Sequence, residues 1–127
     1  MGINHFCIRV RLSKWEETKR FYLAAFEPLG YKILMSFQND MVIGFGNEHP
    51  DFWLTCNAHG PVDDGVHFAM NADSRAAVQG FHAAGIATGG TCNGPAGPRP
   101  MYGERYYAAF VRDPNGNNVE VVTFASE

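Results

Sequence analysis

Two histidines and one glutamate are spaced so that they could share a cation. His5 opens the stretch His5-Phe6-Cys7-Ile8-Arg9-Val10, and His67 opens His67-Phe68-Ala69-Met70-Asn71-Ala72, 62 residues later. Glu120 stands between Val119 and Val121, a carboxylate inside an apolar run. A buried carboxylate is costly unless it is paired or bound to a cation. Two imidazoles and a carboxylate on separate strands make a facial set that leaves positions open for water or substrate. Each residue also has a plainer reading, as a hydrogen-bonded strand histidine or a solvated glutamate near a chain end. The repeated position of the histidines, their parity and the unpaired carboxylate together favour a metal.

The elements that must position these residues follow from an internal repeat. Phe21-Tyr22-Leu23-Ala24-Ala25 follows the first histidine stretch and Phe81-His82-Ala83-Ala84 the second, 60 residues apart at the phenylalanines. Residues 3–11 alternate, which predicts a strand with Phe6, Ile8 and Val10 under a helix. His5, Cys7 and Arg9 then face the opposite way, into whatever the curved sheet encloses. The same parity puts Phe68, Met70 and Ala72 under the second helix, with His67, Ala69 and Asn71 on the concave side.

Ser13-Lys14-Trp15-Glu16 reads as a capping box, before a helix that buries Trp15, Phe21, Tyr22, Ala25 and Phe26 and stops near Gly30. Strands are expected at 31–38, 41–46 and 51–57, then a polar connector from Asn57 to Asp64. In the second half a strand at 66–72 precedes a helix capped by Asp73 or Ser74 and running to about Ala84. A short strand at 86–91, a strand at 105–112, the turn Asp113-Pro114-Asn115-Gly116 and a last strand at 117–124 complete it. Gly89 to Gly103, with five Gly and three Pro in fifteen residues, reads as a long loop that covers a site or joins a partner. The expected fold is α+β: two β-α-β-β-β modules, at about 3–58 and 64–125, forming a cupped, half-open mixed sheet with helices outside, in one domain over 1–127.

Bulk properties limit the function. At 127 residues and 46% apolar, with ten Phe, the chain can build a continuous core. A formal charge of −3 gives no electrostatic reason for nucleic acid or an anionic membrane as partner. No run has the length of a membrane span, and the N-terminus lacks a signal-peptide layout. Cys7, Cys56 and Cys92 are an odd, scattered set, read as reduced thiols in a cytoplasmic protein.

The paired modules, the His5 strand, the Phe21-Tyr22 helix and the closing Asp113-Pro114-Asn115-Gly116-Asn117-Asn118-Val119-Glu120 resemble the vicinal oxygen chelate superfamily. That group includes glyoxalase I, bleomycin and fosfomycin resistance proteins, methylmalonyl-CoA epimerase and extradiol dioxygenases. The resemblance covers nearly the whole chain. It implies that His5, His67 and Glu120 hold a divalent ion (Zn, Fe, Mn, Ni or Co), with Glu120 also catalytic, and that two neighbouring substrate oxygens bind that ion. It also implies a homodimer. Glyoxalase I-like members carry a fourth ligand in a strand resembling Glu-Leu-Thr-x-Asn; here Trp53-Leu54-Thr55-Cys56-Asn57 puts an indole there, which has no basic lone pair. The standard glyoxalase I mechanism therefore does not carry over directly. Extradiol enzymes show a Tyr where this chain has Phe110, and a histidine near residues 102–104, where it has Tyr102, Gly103 and Glu104. Ring cleavage is accordingly disfavoured.

Arg9, Trp53, Arg99, Tyr102, Tyr106 and Tyr107 are the candidates for substrate contact. Arg9 either pairs with a substrate anion or lies half-exposed at the rim; Arg99 and Tyr102 either close over a ligand or are solvated. One of Tyr106 and Tyr107 faces inward, and parity leaves open which. Cys7 is read as an inward, buried filler. The expected function is a metal-dependent lyase or isomerase acting on a small oxygen-rich molecule. The alternative is a metal-free dimer that sequesters a small aromatic compound.

Overall fold

The computed structural model describes residues 2–127. Strand β1 (Phe6–Val10) is followed by helix α1 (Trp15–Ala25) and by strands β2 (Lys32–Phe37), β3 (Val42–Gly46) and β4 (Pro50–Cys56). The second module repeats the order with β5 (His67–Asn71), α2 (Arg75–Ala87), β6 (Thr91–Pro98), β7 (Tyr107–Arg112) and β8 (Asn118–Thr123). Each module makes an open four-stranded mixed sheet, in the orders β1-β4-β3-β2 and β5-β8-β7-β6. The first strand of each runs parallel to the last, Phe6 opposite Phe52 and His67 opposite Asn118. Parallel partners cannot be joined by a tight hairpin, so each module needs its crossover helix.

Alternation is visible in burial. Ile8 and Val10 are buried, whereas Cys7 and Arg9 are exposed; in β5, Met70 is buried while His67, Ala69 and Asn71 are exposed. One core spans both modules, with Trp15, Phe21, Tyr22, Phe26, Phe45, Phe52 and Phe81 all within it. Phe68 packs on Phe6 and Phe52 at ring separations of 4.8 and 5.6 Å, joining the modules beneath β1 and β5. Gly90 lies where the helices meet the second sheet: a Cβ there would come within 2.6 Å of both Phe21 and Val111.

Three local expectations need correction. The Ser13 capping box does not form, because Leu12–Lys14 is a 3-10 turn and Lys14 becomes the residue before α1, with no side-chain cap bond. The hydroxyl thus sits one residue too early. Ser74 does cap α2, accepting from the Ala77 N–H at 3.1 Å, and that helix runs on to Ala87. The expected loop from Gly89 is largely strand β6, paired with β7 through irregular register at Cys92, Gly94 and Gly97. β6 lies at the sheet edge, where proline needs no outward ladder bond and bulges are tolerated.

The turn before β8 is a polar hub. Asp113 accepts from the Tyr22 hydroxyl at 2.6 Å and from the backbone N–H groups of Asn115 and Asn117 at 2.8 and 3.0 Å. Asn117 in turn accepts from the Val66 N–H at 2.9 Å and donates to the Asp63 carbonyl at 2.9 Å. One Asp-Pro turn therefore fixes where both β5 and β8 begin.

Candidate active site

That hub sets the geometry of His67 and Glu120. Ala69 lies opposite Glu120 in the β5–β8 ladder, so residues of one parity project from a common face. Glu120 is only 3% exposed, and its Oε1 lies 3.2 Å from His67 Nε2. The other imidazole nitrogen, Nδ1, is 3.0 Å from the Asn118 carbonyl oxygen. A carbonyl can only accept, so Nδ1 carries a proton. In the neutral ring Nε2 then offers a lone pair, and two acceptors face each other. Such a pair is stable only with positive charge between them, a cation or a further proton.

Glu120 Oε2 accepts a short hydrogen bond from the Tyr106 hydroxyl. Burial, followed by the hydrogen bond and charge of Glu120, pushes the Tyr106 phenol up to about 12, so it remains a donor at neutral pH. Phe110 lies opposite Glu120 in the β7–β8 ladder, and its ring stacks near His67 with centroids 6.3 Å apart. Tyr106 meets Phe124 and Tyr102 edge-on, each at 5.4 Å. The wall of the site is aromatic and its floor is a carboxylate.

His5 lies elsewhere. It borders a shallow cavity of about 370 Å³ on the first sheet, with Cys7, Val42, His49, Trp53 and Thr55. Its Nδ1 is 2.7 Å from Asn4 Oδ1. Among the described residues, no three His, Cys, Asp or Glu side chains gather as a metal-holding set. His67 and Glu120 are thus brought together, and His5 does not join them within the chain, because β1 and β5 end in different sheets with no ladder between them.

The remaining candidates divide. Trp53 stacks on Phe37 at 6.1 Å in the His5 cavity, over Gly44, where a Cβ would lie 2.9 Å from the indole. Arg99 and Tyr102 border a cavity of about 360 Å³ with Asn93, Phe110 and Asn118. Tyr107 is a correction: it faces α2, accepting from Gln79 Nε2 at 2.9 Å with the Arg75 guanidinium 4.6 Å from its ring. Tyr106 is the inward member of the pair. Arg9 is also no free anion receptor. Its side chain donates to both Asp63 oxygens at 3.1 and 2.9 Å, and that guanidinium holds the Asp63 carboxyl below its usual range. Cys7 is exposed rather than a buried filler, with its sulfur 3.2 Å from Thr55 Oγ1. Asn118, whose carbonyl orients His67, was missed in the sequence reading. Its signal is parity, two residues before Glu120 on the same strand.

No sequence profile of a known family and no curated protein matches the chain. Solved structures do. A glyoxalase/bleomycin resistance protein from Albidiferax ferrireducens T118 is 31% identical, with a TM-score of 0.74 over 92% of this chain and 96% of its own. A glyoxalase-related enzyme from Fulvimarina pelagi is 22% identical, with a TM-score of 0.66 over 92% of this chain and 85% of its own. An E144Q variant of glyoxalase I from Zea mays is 21% identical, with a TM-score of 0.66 over 93% of this chain and 46% of its own. The last two show the shared fold alone. The first, in both identity and coverage, shows the family: the chain belongs to the glyoxalase/bleomycin resistance group of the vicinal oxygen chelate superfamily. No helix among the described residues is long and apolar enough to cross a membrane.

Proposed function

We propose that this chain is a metal-dependent, glyoxalase-like enzyme of lyase or isomerase type, acting on a small oxygen-rich substrate. The observation that carries the reading is the 3.2 Å approach of His67 Nε2 to Glu120 Oε1 while Nδ1 is committed to the Asn118 carbonyl. His67 and Glu120 would hold the ion, and a mixed imidazole and carboxylate set suits Zn, Fe, Mn, Ni or Co. A divalent ion bound there supplies Lewis acidity toward two neighbouring substrate oxygens. The chain's own groups do the rest. The Asn118 carbonyl orients His67, the Tyr106 phenol donates to Glu120 Oε2 and so fixes the carboxylate in place, and Phe110 covers one side. Glu120 is the carboxylate available to take a substrate proton.

His5 enters this reading from a second copy. The free edge of β5 has no ladder partner among the described residues, and a groove of about 730 Å³ runs between it and the first module, past Phe6, Phe68 and Met70. Such an edge is a template for another chain. A homodimer in which the partner's His5 completes the set is therefore part of the proposal, as is a cytoplasmic location for a protein with three free cysteines.

The test is metal uptake by chelator-stripped protein, followed by calorimetry and elemental analysis. About one divalent ion per chain is expected. His67→Ala and Glu120→Gln should each weaken binding by at least about 100-fold, since even groups behind the ligands are worth 10- to 100-fold. Wild-type protein that takes up no ion would refute the proposal.

One observation favours the second reading, metal-free sequestration of a small aromatic compound. Glu120 already accepts from Tyr106, and Phe110, Tyr102 and Tyr106 supply aromatic walls. Stabilisation by aromatic compounds and by no metal would favour it.

A further inference from the structure

Arg99 carries a positive charge that no carboxylate answers. Among the described residues it forms no ion pair. Its Nη1 donates to the carbonyls of Gly97 at 2.9 Å and, more weakly, Pro98 at 3.4 Å, and its Nη2 donates to the Pro95 carbonyl at 2.7 Å. These bonds hold the guanidinium plane without cancelling its charge. The Nε–H and one Nη2 hydrogen have no partner among the described residues. Arg99 is half-buried, so water compensates it only partly.

The bed under this group is built by absent side chains. A Cβ on Gly94 would lie 3.1 Å from Arg99 Nη2 and 3.0 Å from Phe110, and one on Gly97 would lie 3.4 Å from Nη1. The guanidinium carbon lies 5.4 Å from the centre of the Phe110 ring, which also stacks near His67. Across the same cavity Asn93 Nδ2 donates to Asn118 Oδ1 at 3.0 Å, which leaves the Asn118 amide hydrogens without a partner among the described residues. A fixed cationic fork and an unused amide donor therefore border one small cavity, a single aromatic ring away from His67.

We propose that Arg99 and Asn118 form an anion subsite of the candidate active site, so that the substrate is a small oxyacid whose carboxylate or phosphate docks on Arg99. This rests on the functional reading above: the vicinal oxygens of the same molecule would extend past Phe110 toward His67 and Glu120. A planar fork of N–H donors matches the two oxygens of such a group, which a lysine ammonium does not.

Calorimetric titration of the full chain, metal-stripped and metal-loaded, with benzoate, phenyl phosphate and neutral benzamide tests the subsite. Saturable binding of at least one anion, about 10- to 100-fold tighter than benzamide, is expected, because a hydrogen bond to a charged group is worth that much. Benzoate ahead of phenyl phosphate assigns the group as a carboxylate; the reverse order assigns a phosphate. Arg99→Gln should remove the preference, and Arg99→Lys should restore only part of it. Gly94→Ala, which keeps the charge but fills its bed, should weaken the anion as well. His67→Ala should retain anion binding while losing the metal. Equal affinity for benzamide, an unchanged Arg99→Gln, or no saturable anion binding would each overturn the subsite. Wild-type protein that prefers the anion yet takes up no metal would keep the subsite and remove the metal proposal.

Discussion

Glu120 is tolerable in an apolar strand because Tyr106 donates to one of its oxygens and a cation or proton shared with His67 Nε2 can meet the other. Tyr106→Phe removes one of these partners from a buried carboxylate, so a stability loss of about 1–3 kcal/mol is expected. Urea unfolding measures it, and an unshifted midpoint would mean that the carboxylate does not depend on the phenol. Arg9 and Asp63 give a pH-dependent counterpart. Asp63 is held below its ordinary value of 3.8, first by its side-chain hydrogen bond from Arg9. Its folded-state value thus lies below its unfolded one. Its contribution is complete above about pH 4 and fades as pH falls through the folded value. Asp63→Asn should therefore be less stable than wild type at neutral pH and converge with it in acid, as thermal melts across pH 2–7 would show; a constant difference would exclude the pair as its origin. Neither residue's role could be read from its neighbours in sequence, since Arg9 and Asp63 meet only because the connector folds back along β1.

At the scale of elements, local chemistry was legible where one segment decided the outcome and illegible where two competed. Ser74 caps α2 as its sequence indicates, while Ser13 does not cap α1 because a 3-10 turn shifts the helix start by one residue. The glycines and prolines of 91–98 read as loop, yet pairing with β7 makes them an edge strand, an outcome set by the neighbour and not by local propensity. Gly90 tests the helix–sheet contact. An added methyl would meet Phe21, Val111 and the Gly85 carbonyl within 2.8 Å. Gly90→Ala should thus cost about 1–3 kcal/mol by overpacking. A melting temperature equal to wild type would mean that this junction is looser than its geometry indicates.

At the scale of the whole molecule, the candidate metal set is split between two sheets. His67 and Glu120 lie on one and His5 on the other, with no ladder joining β1 to β5. If two copies share each site, a mixture of His5→Ala and His67→Ala chains should recover metal binding that neither variant has alone. In a mixed dimer one site inherits both changes and the other neither. Random reassociation of equal amounts should then restore about one quarter of the sites, as twofold symmetry requires. Calorimetry on the remixed chains measures this fraction, and no recovery in a mixture shown to exchange subunits would place the whole set within one chain or nowhere.

The chain's own pattern was enough for the two-module plan, the faces of β1 and β5, and the common face of His67 and Glu120. Those features depend on the strand's period of two and on an internal repeat, both of which are local or self-referential. Which of Tyr106 and Tyr107 turns inward was beyond that pattern, because Phe110 and Val111 leave both faces of β7 apolar. Tertiary packing settled it by giving Tyr107 to α2 and Tyr106 to Glu120. Tertiary packing also paired Arg9 with Asp63, raised a strand from glycine and proline, and kept His5 apart from its expected partners. Each of these depends on contacts between segments distant in sequence, whose register follows from packing and bulges and not from the alternation within any one strand.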